Sequence, residues 1–224
     1  MARIAADEMV EIVRDNLGGE TTETMSSARI LRFINQSYVE VCSANHFPQL
    51  ETSTTITTSS GTAEYELSAS DVLKVLAVVD STNYSELQEV INRHQYTQYT
   101  QGDTSSSTGV PVYWFISGVG DNSRYQMTFY PTPDGTYTIT VFYTKRPTDL
   151  ATSPTATSPI IPEPWDDSLI TRATARGWRQ LGDNKRASEW MQLANQNDAA
   201  ARNSSQELST VPSRAGSVVG QSWR

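Results

Sequence analysis

The chain of 224 residues is poor in the groups on which most enzyme chemistry is built. It has one cysteine, Cys42, and two histidines, His46 and His94. A single cysteine excludes an intrachain disulfide and every zinc pattern made from cysteine pairs. With two histidines, any Ser-His-Asp arrangement must use His46 or His94. Apolar residues make up 37% and charged residues 19%, both below the globular averages of about 45–50% and 25%. No apolar run approaches the roughly 20 residues that span a bilayer, so no membrane partner is expected. The stretch Met1 to Met9 lacks the apolar region of a signal peptide, which predicts synthesis and assembly in the cytoplasm.

A surplus of bases is missing too. The net charge is -8, and such a chain offers no freely accessible DNA-binding surface. The charge is uneven: residues 1–51 carry -4, 52–164 carry -6 and 165–224 carry +2. What fills the composition instead is Ser and Thr, roughly a quarter of the chain. Such a chain folds thinly and completes its core against neighbours.

Apolar spacing predicts a first helix over Ala5 to Leu17, with Met9, Ile12, Val13 and Leu17 on one side and Gly18-Gly19 as the stop. A second starts after Ser26-Ser27 and carries Ile30, Ile34, Tyr38 and Val41; Pro48 ends it at the latest. From Thr52 the pattern turns to strands. Thr54 to Thr58 and Ala63 to Leu67 read as a hairpin around Ser59-Ser60-Gly61. Leu73 to Val79 and Val112 to Ile116 read as strands, and Gln101 to Gly109 as a loop. Leu87 to Tyr99 fits no single pattern. Arg124 to Tyr130 and Thr136 to Thr144 read as a pair. Alternation there sets Tyr125, Met127 and Phe129 on one face, and Tyr137, Ile139, Val141 and Tyr143 on one face of the partner. Pro147 to Pro164 reads as a Pro/Ser/Thr linker. Helices resume at Trp165, break at Gly182-Asp183, and run from Asn184 to about Asn203. Ser204 to Arg224 reads as a tail with no fold of its own.

The predicted fold class is α+β. Residues 1–50 and 165–203 form a discontinuous four-helix bundle, because each helical pair exposes an apolar stripe that needs a partner. Residues 51–164 form an inserted antiparallel β domain, sandwich or barrel-like, and 204–224 an extended C-terminal arm.

Candidate chemistry is thin. His46 reads as a helix-end residue on the last carbonyls, and His94 as a surface residue. Gly118-Val119-Gly120 lacks the third glycine and the helix of a dinucleotide fingerprint and reads as a hairpin loop. Asp166 and Asp167 are adjacent on a helix and share no face, so they read as helix-start residues rather than metal ligands. Glu64 and Glu66 form an exposed acidic strand face, and Cys42 a buried inert thiol. Catalytic and metal-ligating residues are therefore expected to be absent, and cofactors likewise. The aromatics Trp114, Phe115, Tyr125, Phe129, Tyr130, Tyr137, Phe142 and Tyr143 suit a core, with a carbohydrate-binding platform as the alternative. Arg172, Arg176 and Arg179 stand at helical spacing as a basic face. It either pairs with acids in solvent or meets an acidic neighbouring subunit.

Taken in order, several segments resemble the head-to-tail adaptor (connector) proteins of tailed bacteriophages. They are Ile30-Leu31-Arg32-Phe33-Ile34-Asn35-Gln36-Ser37-Tyr38, Tyr65-Glu66-Leu67, and Gly109-Val110-Pro111 followed by Tyr113. Met127 to Pro133, Tyr137 to Tyr143, and Ile161-Pro162-Glu163-Pro164-Trp165-Asp166-Asp167 complete the set. The resemblance spans roughly Met9 to Asn203. It implies a structural virion protein: a homo-oligomeric ring, usually twelve-fold, docked below the portal protein. Such a ring extends the DNA channel without binding DNA specifically and presents a platform to tail or nozzle proteins. It also implies that the C-terminal arm reaches the portal or a neighbour. Val211, Pro212, Arg214, Val218, Val219, Trp223 and Arg224 are then the contact residues, within about 21 residues that reach roughly 70 Å when extended.

Overall fold

The computed structural model describes residues 3–19, 24–90, 107–120 and 124–209, with side chains as far as Ser204. The chain divides into two compact units, Met1–Tyr38 with Asp149–Arg224, and Val39–Thr148. The fold is α+β.

In the first unit, helix α1 (Ala6–Asn16) buries Met9, Val10 and Val13 and sets Asp7 and Glu8 in its first turn, where the dipole favours them. Helix α2 (Ser27–Ala44) starts where the Arg29 N–H meets Ser26 Oγ at 3.4 Å. Its first half buries Ile30, Phe33, Ile34 and Tyr38. The segment read as a linker is fastened at several points. Asn35 closes a two-bond clamp on Leu150, donating to its carbonyl at 3.0 Å and accepting from its N–H at 2.7 Å. Tyr38 Oη accepts from the Ile160 N–H at 2.8 Å, and the Thr157 carbonyl accepts from the Ala6 N–H at 2.9 Å. Prolines remove donors from this stretch, and the side chains of α2 satisfy groups that remain.

Helix α3 (Asp166–Gln180) packs on α4 (Asn184–Ser209) as a helical hairpin. Gly182, at φ +86, makes the turn that a side chain would strain. Asp183 then accepts the Arg186 N–H at 2.9 Å and caps α4. The helix runs on to Ser209, past the predicted end near Asn203. Helix α1 lies against α3, where a Cβ on Gly177 would stand 2.7 Å from both terminal methyls of Leu17.

Among the described residues the second unit holds ten strands: β1 (Glu51–Thr57), β2 (Glu64–Glu66), β3 (Val72–Asp80), β4 (Ser85–Glu86), β5 (Gln88–Glu89), β6 (Thr108–Gly109), β7 (Tyr113–Val119), β8 (Tyr125–Tyr130), β9 (Thr132–Pro133) and β10 (Thr138–Lys145). One sheet has the order β1-β10-β3-β4 and a second the order β2-β8-β7-β5, and β6 pairs with β9. The longer pairs are antiparallel; β5 with β7 and β6 with β9 are short parallel pairs. Ile56, Val78, Ile139 and Val141 from the first sheet meet Trp114, Met127 and Phe129 from the second in one core. This is a sandwich. The barrel alternative is corrected, because each sheet keeps two edges and, among the described residues, no ladder joins them.

Two predicted pairings are corrected as well. The strand after Gly61 does not return along β1: β1 pairs with β10, and β2 with β8 in the other sheet. Gly61, at φ +80, does reverse the chain, but at a crossing between sheets. Likewise β8 and β10 do not pair. Between them β9 engages β6, and Pro131 and Pro133 offer no N–H to a hairpin ladder. The faces read from alternation do hold: Met127, Phe129, Ile139, Val141 and Tyr143 all point into the core. Of the Leu87 to Tyr99 stretch, Leu87 and Val90 are buried around β5; the remainder, like most of Gln101 to Gly109, lies outside the described residues.

Candidate functional site

The helical hairpin holds the charged groups that the sequence singles out. Arg172, Arg176 and Arg179 do not share one environment: Arg172 is buried, Arg176 half-buried and Arg179 exposed. The cause is α4. Met191, Asn195 and Asp198 recur along one face of α4 and cover Arg172. The guanidinium donates to Asp198 Oδ2 at 2.5 Å, and the other Asp198 oxygen accepts from Ser168 Oγ. Arg172 is thus committed to a buried ion pair inside the protomer. Asp198 is the buried charged partner that the sequence reading missed. Its signal was present: Ala187, Ala194, Asp198 and Ala201 fall on one helical seam, and all four are buried. A carboxylate on an alanine seam requires a buried donor opposite.

Toward the end of α3, Arg186 lies over the Trp178 ring, 4.4 Å from its centroid, and also pairs with Asp183 at 3.3 Å. This keeps an exposed cation near the turn.

Asp166 differs from its neighbour Asp167. Asp167 is exposed at the helix start as expected; Asp166 is 2% exposed, and among the described residues neither of its oxygens has a hydrogen-bond partner. Burial pushes its carboxyl up to about 6; Arg3 opposes the rise, and Glu163 and Asp167 add to it.

The remaining candidates fall into place one by one. Glu64 and Glu66 are exposed on β2. Gly118 and Val119 end β7, and the Gly120 N–H donates to the Arg124 carbonyl at 2.8 Å, as the turn of a β7–β8 pair requires. His46 does not sit on the last carbonyls of α2. It is exposed and meets Glu51 at 2.8 Å, because the chain turns through Pro48 and brings β1 back beside it. Cys42 is buried, and burial pushes its thiol up to about 12. Trp114, Phe115, Phe129 and Tyr143 are buried, which removes them from any stacking platform; Phe142 is the exposed one. Among the described residues no group of three or more His, Cys, Asp or Glu is gathered to hold a metal ion, and no helix is long and apolar enough to cross a membrane. His94 and the arm residues Val211, Pro212, Arg214, Val218, Val219, Trp223 and Arg224 lie outside the described residues.

Apolar Leu76, Ile116, Val119 and Phe142 are exposed on the strands. In comparison with known proteins, residues 4–217 match the family described as SU10 adaptor protein. None of the curated proteins matches the chain.

Proposed function

Since the chain belongs to the SU10 adaptor family of phage head-to-tail adaptors, we propose that it is a structural virion protein that forms a ring below the portal. In this reading the ring extends the DNA channel, docks on the portal protein and carries the tail or nozzle proteins. The observation that supports it is the extent of the family match, which takes in both units of the fold rather than a single motif. The acidic net charge fits a wall past which duplex slides without being held. A discontinuous helical bundle, an inserted sandwich and a C-terminal arm on the portal are the proposed division of labour. Arg176 and Arg179 are the proposed charged contacts to a neighbouring subunit; Arg172 supports them from inside.

The test is the native mass of the full chain, alone and mixed with the portal protein, with electron microscopy of the same samples. A closed ring on the portal is expected, twelve-fold in the proposed form. A chain that stays monomeric and does not bind the portal overturns the reading.

A further inference from the structure

The loop between β3 and β4 holds a residue that neither the backbone nor the protomer's own packing rewards. Tyr84 is the one non-glycine residue among the described residues with a positive φ, at 56°, and it is 91% exposed. Glycine or asparagine fits that conformation far better than a bulky side chain. The rest of the loop is over-determined. Asp80 is fully buried and accepts from the Thr82 N–H at 2.8 Å, the Asn83 N–H at 3.2 Å and Asn83 Nδ2 at 2.7 Å. The Ser81 N–H donates to the Thr138 carbonyl at 2.8 Å, and the Thr138 N–H donates to Thr82 Oγ1 at 2.9 Å. Four consecutive residues are tied down, and the fifth, an aromatic, is held out into solvent. Strain maintained by its surroundings is a mark of a site rather than of packing.

The same unit carries a receptor of suitable kind at the other end of β3. A cleft of about 200 Å³ lies between the end of α2 and the start of β3, lined by Ala44, Asn45, His46, Leu73, Lys74 and Leu76. Leu76 is 37% exposed, unusually so for a leucine within a strand. A lining that mixes apolar Ala44, Leu73 and Leu76 with polar Asn45, His46 and Lys74 suits a tyrosine, whose ring needs cover and whose hydroxyl needs a partner. The charges match: Glu86 is exposed beside the loop, and Lys74 is exposed at the cleft. Knob and cleft are separated by roughly 20 Å of strand and cannot meet within one protomer.

We propose that Tyr84 of one copy seats in the α2–β3 cleft of a second copy of this chain, with Glu86 facing Lys74. The contact joins two different surfaces, so it is heterologous, the class of interface that closes into rings. The proposal rests on the ring reading above and specifies one of its subunit contacts.

The test replaces Tyr84 by photoreactive benzoylphenylalanine in the full chain, with the portal protein present. Native mass is read from the same sample, and cross-linked peptides are mapped. The expected product joins position 84 to residues 42–46 or 73–76 of a second copy. Rings whose cross-links fall elsewhere, on a tail protein, on the portal or nowhere, overturn the contact while leaving the ring reading intact. Absence of rings overturns both. A second variant removes doubt about folding. Tyr84→Gly relieves the backbone, so its melting temperature is expected to rise by a few degrees while self-association weakens at least ten-fold. Lys74→Glu is expected to weaken association, and Lys74→Glu with Glu86→Lys to restore it. Wild-type association by Tyr84→Gly refutes the proposal.

Discussion

Asp198→Ala tests whether the Arg172–Asp198 pair governs the helical hairpin. Asp198 is 6% exposed and Arg172 8%, so water cannot replace the lost carboxylate. Removing one partner of a buried pair costs about 3–5 kcal/mol, because a charge is left uncompensated. Ser168, fully buried, loses its acceptor at the same time. Against a total stability of about 5–15 kcal/mol this is a large fraction. With a urea m-value of about 2 kcal/mol/M, a loss of about 3 kcal/mol lowers the midpoint by about 1.5 M. Urea unfolding followed by tryptophan fluorescence reads it, since Trp165 and Trp178 both lie in this unit. The decisive control is the double variant Arg172→Met with Asp198→Leu. It leaves no stranded charge, so it is expected within about 1 kcal/mol of wild type. Asp198→Asn keeps one acceptor oxygen, which can serve Arg172, while its Nδ2 can donate to Ser168 Oγ, so it is expected to fall between. A loss below about 1 kcal/mol for Asp198→Ala, or a double variant as unstable as the sum of the singles, refutes the reasoning.

Other consequences are as direct. The Asp166 carboxyl titrates at about 6 when folded and near 3.8 when unfolded. Its contribution is therefore fully present below pH 3.8, falls as pH rises, and is lost above about 6. Asp166→Asn is expected to stabilise the protein by about 2 kcal/mol at pH 8 and by much less at pH 4, measured by urea unfolding at both. Gly177→Ala gains about 1 kcal/mol of helix propensity but overpacks Leu17, which is 1% exposed, at a cost of about 1–3 kcal/mol. A net loss of about 1 kcal/mol is expected, reversed in sign when Leu17→Ala is the background. Truncation after Ser209 is expected to leave the circular dichroism of the body intact and abolish capture by the portal protein; retained capture rules out a docking role for the arm.

Particular residues show what was legible in the sequence. The helices were readable because their signals are local: Gly182-Asp183 turns the chain at the positions where a glycine and a capping carboxylate stand together. Strand faces were readable for the same reason. Partners were not. Alternation in β8 and β10 puts the correct residues inward, yet it is equally satisfied by a hairpin or by a sandwich. The choice is made by contacts such as Thr54 with Val141, far apart in sequence. Arg172 shows the matching limit for a site. Spacing says which residues share a helix face, but not what covers it. Only the docking of α4 separates buried Arg172 from half-buried Arg176 and exposed Arg179.

The sheet edges bear on how copies can meet. The edge strands are β1 and β4 in one sheet and β2 and β5 in the other. Each carries exposed glutamate: Glu51 on β1, Glu86 on β4, Glu64 and Glu66 on β2, and Glu89 on β5. The central strands β3, β7, β8 and β10 carry none. Charge on an open edge opposes pairing with another open edge, and like charge on both opposes it more. Much of the -6 carried by residues 52–164 is thus placed where it blocks sheet-to-sheet addition. In the proposed ring, copies stand side by side at high local concentration, where unprotected edges would pair with one another. Acidic edges turn association toward other groups, and the proposed contact uses the aromatic tip of the β3–β4 loop and the cleft beside Lys74, with Glu86 the one edge glutamate that takes part.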